Sequence, residues 1–214
     1  MQEQLAPRRT YDRQSVEFDR ALTFSDGLFA IAMTLLVVSI GVPSISDGGS
    51  VHDLAEALND DSAEFISFFI SFIVIGRYWL AHHTYFSALA RIDRGLITLN
   101  LVYLAFIAFL PFPTALLGEY FENPLSIVIY ATNVAVVSGM EVVLFAHAQR
   151  HRLLERTLPR DVYRYGAAMS LSPVLFFLLS IPVAFASTTV AACMWLLVIP
   201  FAAIADRWKP EGAD

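Results

Sequence analysis

A few ionisable and hydroxyl-bearing residues stand inside or beside long apolar stretches of this sequence. Asp26 directly follows Ser25 and lies six residues after Arg20, at the head of an uncharged run. His82 and His83 are adjacent near the end of a second apolar run. An ionisable group in an apolar helix is costly unless it has a partner, so these residues could relay protons or hold helices together.

Enzyme chemistry has little support in the pattern. The sequence has no His-Glu-x-x-His metal motif, no Gly-x-Ser-x-Gly elbow and no P-loop. The single cysteine, Cys193, allows neither an intrachain disulfide nor a thiolate metal cluster. We therefore predict that the protein is not an enzyme and has no cofactor and no metal ligands.

The composition indicates a membrane protein. Of the 214 residues, 57% are hydrophobic and 16% are charged, whereas soluble domains have about 45–50% apolar and about 25% charged residues. Such an excess of apolar side chains requires a lipid bilayer as solvent. The net charge of −6 argues against a nucleic-acid partner. We predict an all-α integral membrane protein.

Six stretches are long enough to cross the hydrocarbon core, which takes roughly 20 helical residues. The uncharged run at 165–205 would be about 60 Å long as one helix, so it must turn back. We place that turn near 187–189, which gives spans five and six. The first four spans are predicted at about 21–42, 63–86, 95–118 and 124–147.

The basic residues give the predicted orientation. All of the 14 lysines and arginines except Arg77 fall on one side of a six-span chain, and basic loops are typically cytoplasmic. We predict a multi-pass protein of the plasma membrane with both termini in the cytoplasm. The predicted organisation is a cytoplasmic segment at 1–19, a six-helix transmembrane domain at 20–208 and a cytoplasmic tail at 209–214.

The loops on the other side are acidic, and residues 51–59 could form a short amphipathic surface helix. An acidic mouth would concentrate cations. The same distribution arises by default when basic residues are confined to the opposite side, and both interpretations stay open.

One face of the first span carries a continuous stripe. At 100° per residue, Ser25 and Asp26 lie away from it. The stripe is apolar with one small residue and one hydroxyl, and it is equally typical of a lipid-facing or core surface. Its members are Arg20, Phe24, Gly27, Ile31, Thr34, Leu35, Val38 and Val42.

The start of the first span resembles a known family. Arg20-x-x-x-Phe24-Ser25-Asp26 is similar to the signature of the lysosomal potassium channels of the transmembrane protein 175 family, in their short prokaryotic form. The resemblance covers most of residues 20–118, and spans four to six match only in character. Further similar segments are Trp79-Leu-Ala-His82-His83, Asn100-Leu101 and Pro111-Phe112-Pro113-Thr114.

The resemblance implies a cyclic homotetramer whose axial pore is lined by span one. Ile31 would form the main hydrophobic constriction, Leu35 and Val38 further apolar layers, and Thr34 a hydroxyl layer. The implied function is a potassium channel with a modest preference for potassium over sodium. The family lacks the Thr-Val-Gly-Tyr-Gly filter of ordinary potassium channels, and so does this chain.

The resemblance also implies a structural network that holds span one in place. We expect Asp26 to contact Arg20 or a span-two histidine, and either His82 or His83 could be that histidine. The predicted network comprises Arg20, Phe24, Ser25, Asp26, Trp79, His82 and His83. The alternative function is a secondary or proton-coupled transporter that uses Asp26 and the two histidines.

Two further pairs of ionisable residues lie outside this predicted network. Arg77 and Glu141 lie at similar depths in spans two and four, and we interpret them as a structural ion pair, with gating or proton relay as the alternative. We expect His147 and His151 to be solvated residues of a basic loop.

Overall fold

Helices make up most of the described part of the protein, because a helix satisfies its own backbone hydrogen bonds in hydrocarbon. The computed structural model describes residues 10–45, 49–156 and 159–210. Residues 1–9 of the predicted N-terminal segment and 211–214 of the predicted tail lie outside this range. The elements are β1 (Thr10–Asp12), α1 (Val16–Val38), α2 (Val51–Asp60), α3 (Ser62–Ser87), β2 (Arg91–Asp93), α4 (Arg94–Phe109), α5 (Pro111–Glu119), α6 (Pro124–Arg150), α7 (Arg160–Ala184), α8 (Thr188–Trp195), α9 (Val198–Ala205) and a 3₁₀ turn (Asp206–Trp208).

Six stretches of the described chain are long and apolar enough to cross a membrane. They are α1, α3, α4 with α5, α6, α7, and α8 with α9 and the 3₁₀ turn. The prediction of an all-helical, six-span protein is therefore confirmed. The first helix begins at Val16, earlier than predicted. The Ser15 hydroxyl caps it, and the acidic side chains of Glu17 and Asp19 in its first turn interact favourably with the positive end of the helix dipole.

Two of the spans are broken. The third span breaks at Leu110, and Pro111 then occupies the first position of α5. Proline has no backbone N–H to donate, so a helix restarts there at little cost. The sixth span breaks at residues 196–197, between α8 and α9. Pro182, by contrast, lies inside α7 without ending it.

The helix predicted at 51–59 forms as α2. Ser50 and Asp53 make a reciprocal capping box at its start, with Asp53 Oδ2 2.7 Å from the Ser50 N–H. No residue of α2 is buried. It is therefore a surface helix between the first two spans.

Four separate basic segments meet at one end of the helix bundle, here called the arginine-rich end (residues 10–13, 88–94, 150–156 and 206–209). β1 pairs with β2 in an antiparallel ladder, and Leu89 forms a bridge with Leu154. The Arg13 guanidinium donates to the Ser87 carbonyl and to the Glu155 carboxylate. Consecutive segments can share this end only if the chain crosses the membrane an even number of times between them. Six spans meet this condition, with two spans between each segment and the next.

The C-terminal part of the chain reaches the same end. The Tyr165 hydroxyl, near the start of α7, donates to the Asp206 carboxylate. The last span is held further along by stacking of Trp195 on Phe177 and Tyr130, at centroid distances of 4.9 and 5.0 Å. The Trp195 indole N–H donates to Ser180 Oγ at 2.9 Å, so its polar atom is satisfied inside the bundle.

Candidate functional site

The first membrane helix, α1, has one packed face and one bare face. Phe29, Ala32 and Leu36 are buried against neighbouring helices, and α1 packs on α3, α4 and α5. The predicted stripe lies on the other side, where Ile31 is 60% exposed and Leu35 45% exposed. Every residue of that stripe, from Arg20 to Val42, is exposed in the single chain.

The bare face is smooth and mostly apolar. A Cβ placed on Gly27 would meet no atom within 4 Å. The Thr34 hydroxyl donates to the Ile31 carbonyl at 2.8 Å, so its hydrogen stays on the helix and its oxygen remains available outward. This surface must be covered by lipid, by another chain or by the water of a pore.

A buried hydrogen-bonded chain joins α1, α4 and α3 behind the bare face. The Ser25 hydroxyl donates to the Ala21 carbonyl at 2.8 Å and accepts from Asn100 Nδ2 at 2.9 Å. Asn100 Oδ1 then lies 2.9 Å from His82 Nε2. Because an amide oxygen only accepts, this contact assigns the proton of His82 to Nε2.

Aromatic rings enclose His82. Its imidazole stacks on Phe86 at 4.3 Å between centroids, lies parallel to Tyr103 at 5.8 Å and contacts Phe29 at 5.4 Å. His83 instead points to Trp79, with their ring centroids 5.8 Å apart. His82 is therefore the histidine that connects to the serine of α1.

Asp26 has a different partner from the one predicted. The Trp79 indole N–H donates to Asp26 Oδ1 at 3.0 Å. Among the described residues, no hydrogen bond or ion pair joins Asp26 to Arg20 or to a histidine, so the expected contact is wrong. The physical reason is direction: Arg20 lies on the bare face, whereas Asp26 is turned towards α3.

The seven predicted network residues therefore divide into two groups. Ser25, Asp26, Trp79 and His82 make the hydrogen bonds described above, and the His83 ring lies beside Trp79 in a tilted arrangement. Arg20 and Phe24 lie on the bare face, where Phe24 is exposed. Asn100 is the member that sequence reasoning missed as a site residue. Its signal was a lone amide in the apolar span three, since a buried amide needs partners.

Arg77 and Glu141 line one cavity but do not touch. The cavity has a volume of about 510 Å³ and lies between α3, α6 and α7, with His82 and Tyr103 also in its wall. Within the described part of the chain, no salt bridge of 4.0 Å or less joins the two charges. The direct ion pair expected from the sequence is thus not formed in this structure.

Of the two histidines expected in a solvated loop, His147 lies instead on the last turn of α6 and His151 caps the end of that helix. His147 Nε2 is 2.9 Å from Asp93 Oδ1, and the His147 and His151 rings stack at 4.2 Å. The expectation of solvated residues is wrong because α6 continues to Arg150, which brings His147 and His151 one turn apart against the start of α4.

Part of this sequence matches a known family. A family model described as "Endosomal/lysosomal potassium channel TMEM175" matches residues 20–111, which include most of α1 and the whole of α3 and α4. A protein from Chamaesiphon minutus is 34% identical over 172 residues, and the match covers 72% of this chain and 81% of that protein.

This chain belongs to the TMEM175 family. Its members are ion channels, so the prediction that the protein is not an enzyme is confirmed. A potassium channel from Streptomyces collinus is 44% identical over 107 residues, which cover 50% of this chain and 50% of that protein. The Gallus gallus TMEM175 is 32% identical over 216 residues, which cover 92% of this chain and 42% of that protein.

Solved TMEM175 structures have the same fold. The crystal structure of a TMEM175 homolog from Chamaesiphon minutus matches with a TM-score of 0.73 and 29% identity, over 89% of this chain and 99% of that chain. A second TMEM175 crystal structure matches with a TM-score of 0.64 at 20% identity and supports the fold alone.

Proposed function

We propose that the protein is one subunit of a potassium-conducting channel in which α1 lines the pore. The observation that carries the proposal is the bare, mostly apolar face of α1, opposed by a packed face on the same helix. The relatives from Streptomyces collinus and Chamaesiphon minutus are named potassium channels, and the solved homolog is described as a potassium-selective channel.

A single chain with one bare helix face cannot enclose a pore by itself. Copies related by a closed rotation would bring the same face together around an axis. We propose a cyclic homotetramer in the plasma membrane, with the arginine-rich end in the cytoplasm because basic loops remain on that side. The number four rests on the family resemblance.

The pore would be narrowest at Ile31. Leu35 and Val38 stand one and two turns further along the same face, and Thr34 adds a hydroxyl beside them. Carbon atoms cannot replace an ion's water shell as backbone carbonyls do, so passage requires partial dehydration. Potassium holds its water less tightly than sodium, which predicts a modest preference for potassium. Dewetting of the same ring would close the pore.

The supporting network explains how one helix can be pore wall and structural element together. The Ser25–Asn100–His82 chain and the Asp26–Trp79 contact all act on the packed side of α1. They fix the rotation of the helix about its axis. The bare face is thereby kept directed away from the rest of the subunit.

Reconstitution into liposomes tests this function. Purified protein with a potassium gradient should give currents whose reversal potential follows that gradient. Stoichiometric coupling of potassium flux to a proton gradient would instead indicate the transporter alternative that uses Asp26 and the histidines. The Gallus gallus relative is named a proton channel, so the same vesicles should be tested with a pH gradient alone. Absence of potassium current in folded protein would contradict the proposal.

A further inference from the structure

Three metal-binding side chains meet at the arginine-rich end, away from the bare face of α1. Asp93 precedes α4, and His147 and His151 lie one turn apart at the end of α6. One potential ligand atom from each residue lies within 4.8 Å of the other two. The group therefore comes from two different membrane spans and converges on one point.

The surrounding backbone leaves room for this approach. A Cβ on Gly95 would stand 2.7 Å from His147 Cε1 and 3.1 Å from its Nε2. Real Cβ atoms essentially never come as close as 2.7 Å to another atom, so a larger residue at position 95 would push the imidazole away from the start of α4. Gly95 is thus the small residue that permits Asp93 and His147 to be neighbours.

The Asp93 carboxylate is held in place by hydrogen bonds. Its Oδ1 accepts from the Leu96 N–H at 2.7 Å and lies 2.9 Å from His147 Nε2. The Asp93 side chain is only 4% exposed, whereas that of His147 is 18% exposed. The cluster is therefore shielded on the protein side and open on the other.

We propose that Asp93, His147 and His151 form a binding site for Zn²⁺ or a chemically similar divalent metal, with a fourth position open to water. Two imidazole nitrogens and one carboxylate oxygen are ligands typical of zinc, whereas Mg²⁺ and Ca²⁺ take oxygen ligands. In a tetrahedral zinc site the ligand atoms lie roughly 3.3 Å apart. The three ligand atoms lie within 4.8 Å of one another without a metal, so a bound ion would draw them closer together.

A bound metal would fasten the start of span three to the end of span four. It would replace the direct contact between Asp93 and His147 by two stronger bonds to a shared ion. Because binding favours the folded state, the protein should become more resistant to heat as zinc is added.

The test uses full-length protein without a histidine tag, in detergent, titrated with Zn²⁺ and separately with Co²⁺. Cobalt takes the place of zinc and reports tetrahedral coordination by its visible absorption. The main variant is His151→Gln, because His151 stacks on His147 at the edge of the site. The matched control is His52→Gln, since His52 also has a carboxylate one helical turn away, Glu56 Oε2 at 3.8 Å, but lies at the other end of the molecule.

We expect one zinc-dependent rise in Tm and one tetrahedral cobalt spectrum for the wild type. His151→Gln should weaken zinc binding by roughly 10–100-fold or more. Mutation of a residue that only hydrogen-bonds to a metal ligand already lowers metal affinity by that factor. His52→Gln should bind as the wild type does. Equal affinity in His151→Gln, loss of binding in His52→Gln, or a wild-type protein without the tetrahedral cobalt spectrum would each overturn the proposal. The cobalt spectrum of the wild-type protein tests the proposal even if a variant fails to fold.

Discussion

Trp79 donates its indole N–H to the Asp26 carboxylate over 3.0 Å and so joins the second span to the first. The partner of the carboxylate is thus a neutral donor and not a cation. A neutral donor stabilises the charge while leaving Arg20 on the bare face of α1. We therefore expect the contact to have a structural role that can be separated from ion passage.

Asp26→Ala should lower the stability of the protein more than it changes ion preference. Removal of the carboxylate leaves the indole N–H of a half-exposed tryptophan without its partner, and we expect a loss of about 1–2 kcal/mol. Trp79→Phe should have a similar effect, and the double variant should lose less than the two single losses added together. Asp19→Ala, an exposed carboxylate on the first turn of the same helix, is the control. A fully stable Asp26→Ala protein with altered selectivity would contradict the structural role.

Asn100→Leu should be more damaging, because Asn100 has hydrogen bonds on both sides. The change leaves the buried His82 N–H without its acceptor, at a cost of about 1–3 kcal/mol. It also removes the bond that Ser25 accepts, although the Ser25 hydroxyl still donates to the Ala21 carbonyl. Asn133→Leu is the matched control, since the described structure gives Asn133 one bond, to the Phe106 carbonyl at 3.2 Å. Thermal melts in detergent should rank Asn100→Leu well below Asn133→Leu. Equal melting temperatures would show that the buried chain contributes little.

Gly118→Ala should destabilise the packing of α5 on α3. A Cβ there would lie 2.9 Å from Ser67 Oγ and 3.0 Å from the Glu64 Cα, and backbone cannot move aside as a side chain can. We expect a loss of about 1–3 kcal/mol. Gly139→Ala is the control inside α6, where the added Cβ meets nothing within 4 Å. It should be neutral or stabilise by about 0.5–1 kcal/mol through helix propensity. Similar melting temperatures for the two variants would contradict the close approach.

Ile31→Asn should raise cation flux several-fold and reduce the preference for potassium over sodium. An amide wets a hydrophobic ring and lowers the dehydration barrier. Ile31→Phe should narrow the ring and lower the flux. Val37→Asn is the control, because Val37 is also exposed on α1 but lies off the stripe. If Ile31 instead packs against lipid or another helix, Ile31→Asn loses stability without any gain in current. Potassium and sodium currents together with thermal melts distinguish these results.

The orientation can be tested by cysteine labelling in a Cys193→Ser background. A cysteine at Arg156, within the arginine-rich end, should react only with reagent on the cytoplasmic side. A cysteine at Glu56, on the surface helix α2, should react only from outside. Labelling of position 156 from outside alone would reverse the proposed topology.

The sequence predicts the parts of this fold that depend on local hydropathy. Uncharged runs define the six spans, and the basic loops show which segments share an end. The stripe on α1 follows from helical periodicity, since residues seven apart return to the same side. These features need no knowledge of which helices are neighbours in space.

Contacts between distant segments were harder to predict. Ser25 and Asn100 are separated by 75 residues, and nothing in their local pattern names one as the partner of the other. The strands β1 and β2 have only three residues each, too few for an alternating pattern to stand out. Chemical expectation favours Arg20 or a span-two histidine as the partner of Asp26, whereas the fold places the Trp79 indole N–H within reach.

The β1–β2 ladder also limits how α1 can move. The chain enters α1 only a few residues after β1, and Thr10, Tyr11 and Asp12 are paired with the loop between spans two and three. A piston-like shift of α1 along its own axis would have to peel this strand away. A tilt or twist about the arginine-rich end leaves the strand in place. The arginine-rich end therefore fixes the beginning of α1 as a pivot. Any tilt of the helix then produces its largest displacement at the opposite end, beyond Val38.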